Sequence, residues 1–400
     1  MNICFETFGC RLNRAEALED EARCRSRGHT IVERPSEADL IVVRGCSVTG
    51  RAQRECERTI EHLRAKYPGK RIAVTGCLPT ARPFEIDRRA SDSPSVDAKV
   101  PTRTARAYLK VQDGCSCNCT FCIVPKFRGA PVSVDRDEVL DKARRFIDAG
   151  YHEIVVTGCN LSLYSSRGWR LAELVAALAL LSPSCRIRLG SVEPGPAARD
   201  LVALMGETPT VCRFLHLSVQ SGSDRILASM RRPYLAKDVD ALVSDAVGKM
   251  PFIGLGCDLI AGFPGESEVD FRLTQGLLRR HPFSNVHAFA YSERPGTVAA
   301  GLPGKIALEL RRQRARELSL LAEENRRRFL RRFIGRTVEI VAEKTHPLSG
   351  WTGEYLWLEE LKPLLIPGSR QASRRKECIA FKVREAKGGK LYGDEIGHGR

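Results

Sequence analysis

The sequence predicts an α/β protein built in three parts, and three features of the chain support this fold class. Short apolar runs typical of buried parallel strands alternate with amphipathic helical stretches over the first 290 residues or so. A long helix rich in Arg and Glu is predicted over 306–332. From Gly335 onward polar and apolar residues alternate, as expected for half-buried strands. We therefore expect an open parallel α/β domain, a central set of strand–helix units and a β-rich C-terminal part.

Length and composition narrow the class of protein further. A chain of 400 residues exceeds what one core usually organises, so two or three domains are expected. No run of 18 apolar residues occurs and the N-terminus lacks a basic flank, so we expect a cytoplasmic protein with no membrane contact. The 15 cysteines are then reduced core residues or metal ligands. A net charge of +16 favours a polyanionic partner, although solvated helix faces produce the same excess.

The first eighty residues predict three parallel strands, and each strand ends at a Gly-Cys pair. The strands are predicted at 3–7, 40–43 and 72–75, and the pairs are Gly9-Cys10, Gly45-Cys46 and Gly76-Cys77. Asn13 is expected to cap a helix that ends at Gly28, and a second helix is predicted over 51–66. Because parallel strands end at the same edge of a sheet, Cys10, Cys46 and Cys77 should converge beside glycines that admit a bulky cofactor. The alternative is that each is a small buried hydrophobic residue. Three in the same local context favour a three-thiolate site.

A second group of cysteines, Cys115, Cys119 and Cys122, has C-x₃-C-x₂-C spacing. Ferredoxin-type [4Fe–4S] sites use four thiolates, so three leave one iron open to a small molecule. This spacing is typical of radical S-adenosylmethionine (SAM) enzymes, in which the open iron chelates SAM. A zinc site would need a fourth ligand, and the next downstream candidate is His152. Cys117, inside the same loop, is expected to be a spectator thiol.

From Tyr108 onward the alternation of strands and helices continues. Strands are predicted at 109–112, 154–157, 187–190, 214–219, 253–260 and 286–290, with helices that include 135–149, 171–181 and 268–279. Polar residues at the carboxyl ends of such strands should line a ligand pocket.

Two three-cysteine sites, one per domain, resemble the methylthiotransferases, a radical-SAM family that inserts a methylthio group into tRNA or a ribosomal protein. The resemblance is carried by residues 7–13, 114–125, 128–129, 153–158, 188–194, 216–223, 262–266 and 291–297. It implies a partial (β/α)₆ radical-SAM barrel in the middle of the chain and a TRAM domain, a small OB-like barrel that binds RNA, at the end. The implied boundaries are 1–90 for the first domain, 91–103 for a linker, 104–332 for the radical SAM domain with its connector helix, and 333–400 for the TRAM-like domain.

The resemblance also implies cofactors and partners. One [4Fe–4S] cluster, on Cys115, Cys119 and Cys122, would cleave SAM to a 5′-deoxyadenosyl radical. A second, on Cys10, Cys46 and Cys77, would supply sulfur methylated by another SAM. The expected SAM-binding residues are Phe121, Thr157, Gly158, Ser191, Glu193 and Gln220, with packing or capping as the alternative for each. Expected partners are the tRNA anticodon stem-loop, an external electron donor and a sulfur donor, and the protein is expected to be a monomer.

Aromatic and basic residues of the last domain are the candidates for RNA contact. Trp351 and Tyr355 could stack on bases, and Arg370, Arg374, Arg375 and Lys376 could meet phosphates. The alternatives are a core role for Trp351 and an ordinary loop for the basic run.

Residues 46–49 and 51–52 resemble the branch of the family that acts on N6-threonylcarbamoyladenosine at position 37 of tRNA. Other candidates are N6-isopentenyladenosine in tRNA, an aspartate of a ribosomal protein, and a non-catalytic RNA-binding iron–sulfur protein. A threonylcarbamoyl group carries a carboxylate, which needs a cation when it leaves water. Arg44, which stands where the family has a neutral residue, is the first candidate, with Arg11 and Arg128 behind it. The alternative is that Arg44 only balances the charge of a cluster.

Overall fold

The structure, a computed structural model, describes residues 1–78, 104–361 and 376–396. The predicted linker over 91–103 lies outside these residues, as do Arg370, Arg374 and Arg375. Within the described residues the α/β fold class is confirmed, with a parallel sheet first, a curved strand–helix wall in the middle and a closed β-barrel last. None of the described helices is long and apolar enough to cross a membrane.

The N-terminal domain is a four-stranded parallel sheet with a helix on each face. Its elements are β1 (Asn2–Thr7), α1 (Arg11–Ser26), β2 (Thr30–Val32), β3 (Leu40–Cys46), α2 (Gly50–Lys66) and β4 (Arg71–Cys77), in the sheet order β2-β1-β3-β4. One face packs Ile41 and Val43 against Cys56, Ile60 and Leu63 of α2. The three predicted strands and both helices are confirmed, and the short edge strand β2 was not predicted.

Helix α1 begins three residues earlier than predicted. Its N-cap is Cys10, and Asn13 lies inside the first turn. The Asn13 side-chain amide donates hydrogen bonds to the carbonyl oxygens of Phe8, at 2.8 Å, and Gly45, at 2.9 Å. The predicted cap was wrong because the amide of Asn13 satisfies two strand-end carbonyls instead of the backbone of its own helix.

The central domain is an open barrel of parallel strands backed by helices. Its elements are β5 (Ala107–Asp113), α3 (Val124–Arg128), β6 (Val132–Ser133), α4 (Arg136–Asp148), β7 (Glu153–Gly158), β8 (Ser165–Ser166), β9 (Trp169–Arg170), α5 (Leu171–Ala179), β10 (Arg186–Leu189), β11 (Ser191–Val192), α6 (Pro196–Glu207), β12 (Phe214–Gln220), α7 (Asp224–Ser229), α8 (Ala236–Lys249), β13 (Gly254–Ala261), α9 (Glu268–Arg280) and β14 (Phe283–Ala290). The sheets β10-β7-β5-β6 and β11-β12-β13-β14 meet where Gly190 alone separates β10 from β11. All six predicted strands are confirmed, with bounds that differ by at most three residues.

Successive side chains of these strands point to opposite faces of the wall. Leu215, Leu217 and Val219 of β12 belong to the main hydrophobic core beneath the helices. The intervening residues, such as Phe214 and His216, therefore face the concave inner side. We call that inner side of β5 to β14 the lumen.

A long helix carries the chain to the last domain. Helix α10 (Leu308–Arg331) packs along β14 and α9 and leads into β15 (Thr337–Thr345), β16 (Leu348–Thr352), β17 (Trp357–Glu360), β18 (Cys378–Lys387) and β19 (Lys390–Glu395). These five strands close in the order β15-β16-β17-β19-β18 around a core that includes Ile340, Leu358, Phe381 and Leu391.

Buried charges join the C-terminal barrel to the base of the central one. Glu153 is fully buried and accepts hydrogen bonds from the Nε atoms of Arg188, at 2.7 Å, and Arg186, at 2.6 Å. The same two guanidinium groups donate to the carbonyl oxygens of Thr352, at 2.7 Å, and Trp351, at 2.5 Å. Burial alone would raise the pKa of Glu153, but the surrounding guanidinium groups hold it well below its usual value.

Trp351 and Tyr355 lie at this junction. Their rings stack with centroids 4.3 Å apart, and Tyr355 also packs on Phe214 at 4.7 Å. The guanidinium of Arg188 lies 5.2 Å from the Tyr355 ring. A nucleobase would have to displace these contacts. The structure thus favours the core alternative for Trp351 and shows Tyr355 packed beside it, and RNA contact by either ring stays a prediction.

Candidate functional site

The first three-cysteine group converges as predicted at the carboxyl edge of the N-terminal sheet. Cys46 and Cys77 end adjacent strands and lie opposite each other in register, while Cys10, at the start of α1, is exposed. A Cβ atom placed on Gly9 would lie 2.6 Å from the Cβ of Cys46, so only glycine fits this close approach. Burial and the neighbouring thiols raise the pKa of Cys46 to about 11. Three thiols at one edge, one of them open to solvent, fit a cluster with an accessible iron.

The second group, Cys115, Cys119 and Cys122, lies on the loop between β5 and α3. The backbone N–H of Cys122 donates to the Cys119 carbonyl at 3.1 Å, which makes a tight turn. Hydrogen bonds from Cys117 and Asn160 lower the pKa of Cys115 to about 6, although burial opposes the shift. A thiol with a low pKa is a ready thiolate ligand.

His152, the zinc-site alternative, lies far from this loop along the barrel. It precedes β7, whereas the cysteines follow β5, which is parallel to β7, so the two positions lie at opposite ends of the strands. Its Nδ1 lies 3.1 Å from the Ser184 carbonyl. His152 is therefore not part of the donor set on the loop, which consists of the three thiols of the second group and the thiol of Cys117.

Two further thiols lie beside the second group. The Cys117 thiol is 3.3 Å from the Nδ2 of Asn160, and its backbone N–H lies 3.4 Å from the Cys115 sulfur. Cys159, just after β7, is close enough to Cys115 and Cys122 to interact with them electrostatically, and burial raises its pKa to about 12.

The expected SAM-binding residues lie at the same edge of the barrel. Thr157 and Gly158 end β7, Ser191 and Glu193 are in and just after β11, and Gln220 ends β12. Gln220 is almost buried and has a φ of +68°, a conformation that costs a non-glycine residue free energy. Phe121 packs against the small apolar cluster of Phe263 and Tyr291 beside the cysteine loop. This shared location supports the SAM prediction for these residues without testing it.

Two polar residues that the sequence analysis missed connect this edge to the cysteine loop. Arg232 donates to the Cys119 sulfur at 2.9 Å and pairs with Glu193 at 3.0 Å. Asn160 donates to Glu193 at 3.3 Å, and its backbone N–H donates to Gln112 at 2.8 Å. Nothing in the local sequence separates Arg232 from the other basic residues, because its partners are far away along the chain. Its immediate neighbour Pro233 gives no signal of chemistry.

Arg128 connects the two cysteine groups. Its Nε donates to the Cys77 sulfur at 3.0 Å, and its Nη1 donates to Asp113 at 2.9 Å. Asp113 in turn accepts from the backbone N–H of Gly114, at 2.8 Å, directly before Cys115. Glu16 of α1 completes the cluster at 3.0 Å from Arg128. With its donors occupied in this way, Arg128 is a link between domains, and the structure does not favour the substrate contact expected of it.

The other two candidate arginines, Arg44 and Arg11, differ in their contacts. Arg44 is buried and pairs with Glu16, at 2.8 Å, and with Asp20, so its charge is already neutralised. Arg11 reaches the lumen, where it donates to the Leu189 carbonyl at 3.3 Å and lies 5.0 Å from the Tyr355 ring. Among the described residues it has no carboxylate partner. Within the described residues, charge pairing therefore distinguishes Arg11 from Arg44, and a substrate contact by either residue stays a prediction.

An open (β/α)₆ barrel with a three-cysteine loop at its carboxyl edge defines the class of radical SAM enzymes. Residues 109–278 match the Radical SAM superfamily, and residues 2–97 match "Uncharacterized protein family UPF0004". A solved structure, the radical S-adenosylmethionine methyltransferase TsrM from Kitasatospora setae, covers 75% of this chain and 75% of its own with a TM-score of 0.53 and 12% identity, a likeness of fold.

Similar curated proteins narrow the class to a family. The tRNA-2-methylthio-N(6)-dimethylallyladenosine synthase of Bartonella henselae is 31% identical over 89% of both chains. The corresponding synthase of Cereibacter sphaeroides (strain ATCC 17029 / ATH 2.4.9) is 32% identical over 87% of this chain and 88% of its own. The threonylcarbamoyladenosine tRNA methylthiotransferase MtaB of Aquifex aeolicus is 29% identical over 87% of this chain and 95% of its own. The chain belongs to the radical-SAM tRNA methylthiotransferases. SAM and a [4Fe–4S] cluster are the cofactors of this class.

Proposed function

We propose that this protein adds a methylthio group to C2 of N6-threonylcarbamoyladenosine at position 37, in the anticodon stem-loop of tRNA. The proposal includes a second [4Fe–4S] cluster on Cys10, Cys46 and Cys77, because that convergent group fits a cluster as well as the first group does. It also includes a sulfur donor and an external electron donor, because neither sulfur nor reducing equivalents are generated by the chain itself.

The observation that favours this substrate is the location and pairing of Arg11. The threonylcarbamoyl group brings a carboxylate, and taking a carboxylate from water without a cation is costly. Arg11 follows the exposed Cys10 directly, points into the lumen and lacks a carboxylate partner among the described residues. Arg44 and Arg128, by contrast, are held by Glu16 and its neighbours. A guanidinium can bind a carboxylate through two parallel hydrogen bonds.

The site indicates what chemistry a cofactor would supply and which residues of the chain would position it. A [4Fe–4S] cluster bound by Cys115, Cys119 and Cys122 supplies the electron for reductive cleavage of SAM. Arg232 donates to Cys119 and Glu193 together, so it fixes the cysteine loop against the strand ends. We propose that Glu193, Gln220 and the other strand-end residues hold SAM there, and that the lumen below receives the adenosine.

The second candidate substrate is N6-dimethylallyladenosine, also called N6-isopentenyladenosine. It is favoured by the relatives, since both synthases above are named for it and exceed the MtaB relative in identity. Its substituent is apolar and would gain nothing from a cation. The absence of a carboxylate partner for Arg11 among the described residues therefore argues for the threonylcarbamoyl group.

The test compares two tRNAs that differ only in the substituent of adenosine 37. Cluster-loaded, reduced enzyme is incubated with SAM and either tRNA, and the nucleosides are quantified by mass spectrometry. We expect methylthiolation of the threonylcarbamoyl form. Arg11→Ala should lower its kcat/KM by about tenfold or more, as expected for loss of about 1.5–3 kcal/mol from a charged hydrogen bond.

The matched control is Arg14→Ala, which removes an exposed arginine of the same helix whose guanidinium lies over Tyr108. It should leave the preference unchanged, and SAM cleavage without tRNA should survive in both variants. Preference for the dimethylallyl form, unaffected by Arg11→Ala, would replace this proposal by the second candidate.

A further inference from the structure

The middle of the lumen holds a group of side chains that the cluster sites do not use. His216 of β12, Asp258 of β13 and His287 of β14 lie on three adjacent parallel strands. The Nε2 of His216 is 3.1 Å from the Oδ1 of Asp258, and the Nδ1 of His287 is 3.0 Å from the same oxygen. All three offer atoms within 4.8 Å of one another. We call them the lumen triad.

The exposed fraction of the three side chains increases from β12 to β14. The side chain of His216 is 6% exposed, that of Asp258 24% and that of His287 52%. Both imidazoles hydrogen-bond to the one carboxylate, which keeps Asp258 ionised and fixes the ring of His287. With Nδ1 held by Asp258, the other nitrogen of His287 is left for the open side of the lumen.

A series of ring contacts connects the triad to Arg11. Arg11 lies against Tyr355, Tyr355 against Phe214 at 4.7 Å, Phe214 near His216 at 6.2 Å, and His216 near His287 at 5.1 Å between ring centroids. One surface thus carries a cation at one end and an oriented imidazole at the other. The rings of Tyr355, Phe214 and His216 that connect them are packed against one another.

We propose that the lumen triad is the specificity site for the N6 substituent of the adenosine, with Nε2 of His287 accepting a hydrogen bond from the hydroxyl of that substituent. This inference rests on the proposed function, and it adds a second contact to the one made by Arg11. Asp258 is the positioning residue that selects the tautomer of His287, and His216 holds Asp258 from the other side. The ligand chemistry is a hydroxyl- and carboxylate-bearing group, for which an apolar dimethylallyl group is no match.

The experiment measures substrate preference as a ratio. Cluster-loaded wild type, His287→Ala and His287→Gln are assayed with tRNAs that carry threonylcarbamoyladenosine, dimethylallyladenosine or unsubstituted adenosine at position 37. His287→Ala should lower kcat/KM for the threonylcarbamoyl form by about fivefold to tenfold, the size expected for one lost hydrogen bond, without lowering it for the others. His287→Gln, whose amide oxygen can still accept, should restore part of the difference.

His281→Ala is the matched control. His281 forms the same kind of pair, with Nε2 2.6 Å from the Oδ1 of Asp240, but at the end of α9 on the helical side of the barrel. Its loss should leave the preference intact. Iron content and SAM cleavage without tRNA should equal those of wild type in every variant, which separates recognition from misfolding.

Three outcomes would overturn the inference. In the first, wild type methylthiolates the threonylcarbamoyl form and His287→Ala keeps the same preference. This result would reject the role of the triad and leave the proposed function unaffected. Wild type that acts only on the dimethylallyl form removes both. Cobalt(II) added to cluster-loaded protein is the third arm, since visible absorption that depends on His287 would identify the triad as a metal site with two imidazoles and a carboxylate.

Discussion

At the scale of single residues, charge pairing decides which arginine is available for a substrate. The sequence placed Arg11, Arg44 and Arg128 near the clusters but ranked Arg44 first, because it replaces a neutral residue of the family. A signal that Arg44 would be paired was present in α1. Glu16 and Asp20 lie four residues apart, so they share one helix face, and both meet Arg44. What the sequence could not show is that this face packs against the end of β3.

The first prediction separates a structural role of Arg44 from a substrate role. Arg44→Leu leaves the carboxylate of Asp20, which is almost fully buried, without this cation, and we expect a loss of about 3 kcal/mol in the free energy of unfolding. Glu16 keeps Lys110 and Arg128 as partners, which limits the loss. Urea unfolding measures the change. Among molecules that stay folded, the preference for the tRNA substituent should equal that of wild type, and a changed preference would return Arg44 to the substrate site.

At the scale of secondary-structure elements, the sequence was most informative where a strand ends at a residue that can bind a cofactor. Apolar runs closed by Gly-Cys gave three strands and the convergence of Cys10, Cys46 and Cys77, because parallel topology alone brings such ends together. It was least informative where two elements meet across domains. The local sequence around Trp351 and Tyr355 is compatible with exposed and with packed aromatic rings. The packed arrangement follows only from the position of β10 against the last barrel.

The second prediction concerns that junction. Glu153→Gln removes the buried negative charge shared by Arg186 and Arg188 and leaves their guanidinium groups uncompensated. We expect a loss of about 3–5 kcal/mol in the stability of the docked C-terminal barrel. Limited proteolysis near the start of β15, together with urea unfolding, detects it. Glu339→Gln is the control, because the side chain of this barrel residue is exposed. Equal proteolysis of Glu153→Gln and wild type would refute the role of the buried charge.

The third prediction is the pH dependence of the same junction. The pKa of Glu153 is lowered in the folded protein, so the carboxylate contributes stability that is fully present above its unfolded pKa of about 4.3. That contribution is lost as the pH falls below this value toward the folded pKa. Between pH 7 and pH 3, wild type should therefore lose more stability than Glu153→Gln does. Parallel losses in the two proteins would show that the ion cluster is not the titrating element.

At the scale of the whole molecule, the two three-cysteine groups should each hold a cluster. Anaerobically reconstituted protein is expected to bind about eight irons, four per cubane. Replacing Cys115 and Cys119 by Ala should leave about half of the iron and abolish SAM cleavage. Replacing Cys10 and Cys77 should also leave about half but retain cleavage, because the cysteine loop and Arg232 are untouched. Full iron content in either double variant would contradict the ligand assignment.

A contact made by Arg128 connects the first two domains, since this residue joins Cys77 of the first domain to Asp113 beside the cysteine loop of the second. Arg128→Met removes a hydrogen bond to a cluster sulfur and leaves Asp113 with Lys110 as its cation. Because hydrogen bonds to cysteine sulfur raise the reduction potential of a cluster, we expect the cluster on Cys10, Cys46 and Cys77 to shift to a lower potential, measured by an EPR redox titration. SAM cleavage without tRNA should persist while methylthiolation falls. Lys126→Met, which removes a cation of the same short helix that donates to the Gly296 carbonyl, is the control and should shift nothing. An unchanged potential in Arg128→Met would mean that its hydrogen bond to Cys77 does not tune a cluster at that site.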